Sequence, residues 1–83
     1  MTRTELAAEL RKAAVKELQD GGCKNVGYVV VISQRAAAQA MGHKDAPSFA
    51  RKYMNRPDVF RIGNQYSIGD LADVLWKEFR PGA

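Results

Sequence analysis

The stretch FRIGNQYSIGDL, residues 60–71, constrains the fold of this chain more than any other. It sets a Gly-Asn pair between two short runs of alternating apolar and polar residues, with a helix start directly behind them. A hairpin is implied. It is also the natural partner for the β-branched run GYVVVI, residues 27–32, which reads as a buried strand and needs another strand to pair with. Burial and turn chemistry disagree about the hairpin register. Phe60, Ile62, Tyr66 and Ile68 share one face only if Ile62 lies opposite Tyr66 across a three-residue loop. A two-residue Gly63-Asn64 turn instead sets Phe60 opposite Ser67 and splits that apolar group. Burial is the stronger consideration, so the sequence predicts the longer loop, with Arg61 and Ser67 pointing away from the core. A bulge would reconcile the two.

Helix signals surround this sheet. Thr2 and Glu5 have capping-box spacing, and Leu6, Leu10, Ala14 and Leu18, with Ala7 and Val15 beside them, recur at helical intervals up to the stop at residues 20–22. That first helix is packing material or a dimer face. Ser33 stands as an N-cap before QRAAAQAMG, whose Ala36, Ala37, Ala40 and Met41 form an inner face small enough for a second helix to cross closely. Gly42 closes it. Pro47 opens the next helix, with Phe49, Ala50, Tyr53 and Met54 inside and Ser48, Arg51, Lys52 and Asn55 outside. Pro57 follows its end. Ser67 and Asp70 begin a last helix in which Leu71, Val74, Leu75, Trp76 and Phe79 are apolar, Trp76 being its largest contribution to the core.

The predicted class is therefore α+β, in the order helix-strand-helix-helix-strand-strand-helix. At 83 residues the chain has room for a single core. Its expected parts are an N-terminal helix and loop (1–25), a helix-turn-helix (33–55), a hairpin (58–68) and a C-terminal helix (69–80). The order reads as a winged helix, the hairpin being the wing and the strand at 27–32 pairing with it.

The net charge of +4 is not spread evenly. Between Ser33 and Tyr66 six basic residues stand against two acidic ones, while the flanking segments nearly balance. A basic footprint confined to the helix-turn-helix and hairpin is what a phosphate-binding domain carries. Catalytic chemistry finds no support, since no Ser/His/Asp or Cys/His set, paired carboxylates, phosphate loop or metal constellation is present, and no cofactor is implied. Cys23 is the one cysteine and His43 the one histidine, and both read as loop residues. No apolar run approaches the roughly 20 residues of a membrane span, and the start lacks signal-peptide order, so a soluble cytoplasmic protein is expected.

From Ile32 to about Phe79 the chain resembles the excisionase/MerR-like winged helix-turn-helix group of small phage, mobile-element and prokaryotic regulators. ISQRAAAQAMG carries the likeness in the first helix, and FRIGNQYSIGDLADVLW carries it in the wing and the following helix. The N-terminal helix and the DGGCKNVG loop extend beyond the minimal family domain. The resemblance implies sequence-specific binding of double-stranded DNA, in transcription regulation or as an excisionase-like recombination factor. Ser48, Arg51 and Lys52 would then lie on the recognition helix, with Asn55 and Arg56 at its end. Gln34, Arg35 and Lys44 would meet phosphates, and Arg61, Asn64 and Gln65 would act from the wing. Binding as a homodimer or a head-to-tail array is expected, because one small domain makes few contacts. The competing expectation is a winged-helix protein-interaction module, since fold does not dictate function.

Overall fold

The computed structural model describes residues 2–79. Helix α1 (Arg3–Asp20) is followed by strand β1 (Val31–Ser33) and helix α2 (Gln34–Ala40). Helix α3 (Ala46–Phe49) runs on into a π-helical turn (Ala50–Met54), and strands β2 (Arg61–Ile62) and β3 (Gln65–Ser67) precede helix α4 (Ile68–Phe79). The class is α+β: four helices and a three-stranded antiparallel sheet of order β1-β3-β2, an arrangement compatible with a winged helix. No helix among the described residues is long and apolar enough to cross a membrane.

Local chemistry accounts for the helix ends. The Thr2 hydroxyl accepts the Glu5 N–H and the Glu5 carboxylate accepts the Thr2 N–H, both at 3.1 Å, so the capping box forms. At the other end Gly22 takes φ +98°, which lets the Gly22 and Cys23 amides return to Gln19 O and Leu18 O at 3.0 Å. Gly42, at φ +70°, closes α2 by the same pair of bonds, to Gln39 O and Ala38 O. Asp45 caps α3 and Pro47 sits in its first turn.

The core gathers Leu6 and Leu10 of α1, Ala36–38 of α2, Phe49, Ala50, Tyr53 and Met54 of the third helix, and Ile68, Leu71 and Leu75 of α4 around Ile32 and Tyr66. Leu18 departs from the predicted stripe and is 44% exposed. Steps of four residues drift about 40° each around an α-helix, so the fourth member of the series has left the inner face. Glu17 faces the sheet instead and accepts the Ser33 hydroxyl at 2.7 Å. In α2 it is Ala36, Ala37 and Ala38 that are buried, with Ala40 and Met41 half-buried. Trp76 is half-buried at the edge of the core, and the large fully buried side chains are Phe49, Leu10, Ile32, Met54, Ile68, Leu71 and Leu75. The sequence also put Phe79 inside and ended this helix at residue 80; that side chain and that residue lie outside the described residues.

Two strand predictions are corrected. The strand expected at 27–32 narrows to Val31–Ser33, because β3 offers only three residues for it to pair with. The stretch before it is held by α1, through the Arg11 guanidinium, which donates to Val29 O at 3.1 Å and lies 4.5 Å from the Tyr28 ring centroid. The hairpin takes the two-residue turn: Ile62 pairs with Gln65 and Arg61 with Tyr66, and the Ser67 N–H to Phe60 O bond of 2.8 Å continues that register. Gly63, at φ +58°, holds the first turn position, a conformation that costs glycine little. The shift by one residue hands the inner face to Val59, leaves Phe60 and Ile62 60% and 61% exposed, and brings Arg61 to the Tyr66 side of the sheet.

Candidate nucleic-acid interface

Two junctions decide where the basic and amide side chains stand. At the first, Ser33 ends β1 and caps α2, its Oγ accepting the Ala36 N–H at 3.1 Å. Strand β3 runs beside β1, pairing Ser33 with Gln65, so the start of α2 lies next to the hairpin. A depression of about 320 Å³ occupies this junction, lined by Ser33, Gln34, Arg35, Arg61, Asn64 and Tyr66. Four of the predicted site residues thus come together there. Its lining holds two guanidinium groups and two side-chain amides, and the Glu17 carboxylate borders it, accepting the Ser33 hydroxyl at 2.7 Å. An anion with several acceptor oxygens, such as a phosphodiester, matches that donor set.

At the second junction, Asn55 ties the end of the π-helical turn to the hairpin. Its Oδ1 accepts the Tyr66 hydroxyl at 2.7 Å and stands 3.5 Å from Arg61 Nη1. Arg61 also donates through Nε to Gly63 O at 2.6 Å, and its guanidinium lies 5.4 Å from the Tyr66 ring centroid. Asn55 and Arg61 therefore position the hairpin against the third helix. The Asn55 N–H reaches back to Ala50 O at 2.7 Å, the five-residue span of a π turn.

The remaining residues distribute differently. Arg51 and Lys52 are exposed on the outer side of the π-helical turn, with the Lys52 ammonium 5.4 Å from the Tyr53 ring centroid. Lys44 is exposed in the turn between α2 and α3, and Ser48 is half-buried, its N–H donating to the Asp45 carboxylate at 3.3 Å. Arg35, Lys44 and Arg51 enter none of the ion pairs among the described residues. Arg56 does: it pairs with Asp58 at 3.2 Å and Glu78 at 3.5 Å, clasping the loop after the third helix to α4. Gln65 lies half-buried on the opposite sheet face from Tyr66, beside Ile62, away from the depression.

Sequence reasoning missed two members of this arrangement. Ser33 was legible as a cap and Tyr66 as a core residue, and each also lines the depression. Phe60 and Ile62, predicted inside, form an exposed apolar pair whose one signal in the sequence was the Gly-Asn turn. Comparisons of the chain with known proteins find no matching family model, no matching curated protein and no matching solved structure.

Proposed function

We infer that this chain is a small winged helix-turn-helix protein that binds double-stranded DNA sequence-specifically, in transcription regulation or as an excisionase-like factor. The observation carrying this reading is the junction of α2 and the hairpin, where Arg35 and Arg61 stand with Gln34 and Asn64. A phosphate seated there would be gripped from two elements at once, fixing the duplex relative to the domain. Arg51 and Lys52, exposed on the neighbouring helix, are the side chains available to read bases, with Ser48 and Lys44 at the start of that helix. Arg56 is assigned to the clasp with Asp58 and Glu78, and Asn55 to the placement of the hairpin.

A second reading, a winged helix that binds protein, draws on one observation. Phe60 and Ile62 put two large apolar side chains in water on the outer sheet face, a feature of protein-binding surfaces. One experiment separates the two. A site is selected from random duplex, and affinity for it and for random sequence is measured across a salt series. Arg35→Ala should weaken binding to all sequences and lower the salt slope by about one. Arg51→Ala should cost about 1–3 kcal/mol on the selected site and relax preference at one position. Wild-type affinity in both variants, or no duplex binding by the wild type, transfers the function to the protein-binding reading.

A further inference from the structure

Helix α1 carries a second cationic surface that the duplex reading leaves unused. The helix buries Leu6, Leu10 and Ala14. On its opposite side Ala8, Lys12, Val15 and Gln19 succeed one another at helical spacing and, with Arg11 and Lys16, line a shallow depression of about 600 Å³. A second depression of about 480 Å³ shares Val15 and Gln19 and continues onto Lys24, Val26 and Gly27 of the following loop. The two adjoin at Val15 and Gln19 as one shallow, open groove with four cations, its floor apolar along Ala8 and Val15 and mixed where Asn25 joins Val26. No carboxylate lines either part. Lys16 has Asp20 at 3.6 Å, but both side chains are largely exposed and water screens the pair.

We propose that this groove docks an acidic segment of another protein, one that presents Asp or Glu beside small apolar side chains. Charge complementarity selects the sign of the partner, and the floor selects its kind. A nucleic-acid backbone would answer the cations and leave Ala8 and the exposed parts of Val15 and Val26, whose other sides pack on the core, without an apolar counterpart. Those side chains are also too small to anchor the helix in an anionic bilayer. A second copy is a poor occupant, because groove against groove brings cations against cations. The proposal stands independently of the duplex reading.

The test uses the whole chain and a fluorescent helical peptide with Glu on one face and Ala and Leu on the other, alongside its Gln-for-Glu counterpart. Saturable binding of the acidic peptide is expected, with amide NMR shifts confined to residues 8–19 and 24–27. The Gln peptide, and the Lys12→Glu/Lys16→Glu variant, should bind about tenfold more weakly, as loss of rim charge pairs predicts. Ala8→Arg adds a cation but fills the floor, so it should weaken the acidic peptide too; stronger binding would reduce the effect to diffuse charge and overturn the proposal. It is equally overturned if the peptide does not bind or if the shifts fall on residues 34–66. Loss of duplex binding or of anionic phosphatidylserine-vesicle binding on Lys12/Lys16 reversal, with peptide binding unchanged, would assign the surface to that partner instead.

Discussion

The bond between Asn55 and Tyr66 should be the main tie between the hairpin and the third helix, and a double-mutant cycle measures it. Tyr66 is 3% exposed, and its hydroxyl donates to Asn55 Oδ1 at 2.7 Å. In Tyr66→Phe the donor is gone while the exposed Asn55 amide turns to water, so the loss is that of one ordinary hydrogen bond, about 0.5–1.5 kcal/mol. Asn55→Ala does the reverse. It strands the phenol in a part-buried site and removes the acceptor facing Arg61 Nη1, for about 1–3 kcal/mol. The double variant should lose little more than Asn55→Ala alone, a coupling of about 1 kcal/mol. Urea unfolding followed by far-ultraviolet circular dichroism provides the four stabilities. In a domain of this size each kcal/mol also moves Tm by about 4–8 °C, which gives an independent reading. Single losses that add to within about 0.3 kcal/mol would mean that the two side chains contribute separately and that something else holds the hairpin. In the duplex-binding reading, Asn55→Ala weakens binding without changing the salt slope, because no cation has been removed.

Three further outcomes follow from particular residues. Leu10→Ala should cost about 2–5 kcal/mol and Leu18→Ala under about 1 kcal/mol, since Leu10 is fully buried and Leu18 is 44% exposed; equal losses in thermal melts would contradict the assigned inner face of α1. Gly63→Ala should destabilise by about 1–2 kcal/mol through its φ of +58° alone, with nothing within 4 Å to obstruct a Cβ, whereas Gly27→Ala, equally unobstructed and outside that backbone region, should be neutral or slightly stabilising. The hydrogen bonds from Thr2, its backbone N–H first and its hydroxyl second, hold the Glu5 carboxyl below its ordinary value of 4.5. A carboxyl depressed in the folded state contributes stability above its unfolded pKa and loses it as pH falls through the folded one. The first turn of α1 should therefore fray on acidification below pH 4.5, and an NMR titration placing Glu5 at or above 4.5 would contradict the capping box.

The helix ends were legible because each is a local transaction. Thr2 with Glu5, Ser33 with Ala36, Asp45 with Ser48 and Ser67 with Asp70 all close over three residues, so side-chain type and spacing suffice to specify them. The α+β class, the helices and the hairpin position follow from such signals together with apolar periodicity. Of the predicted site, Gln34, Arg35, Arg61 and Asn64 are brought together, and Arg51, Lys52 and Lys44 stand exposed. Asn55 and Arg56 have structural partners instead, because Tyr66, Asp58 and Glu78 reach them only after the chain has folded back. The hairpin register shows the same division most sharply. Burial favoured Phe60 and Ile62 inside, yet in the observed register both stand exposed on the outer sheet face. The Gly63-Asn64 turn therefore set the register, Val59 took the inner position, and Arg61 came to lie beside Tyr66. A sequence states which side chains would be stabilised by burial; whether a neighbour is present to bury them is decided by packing between distant segments.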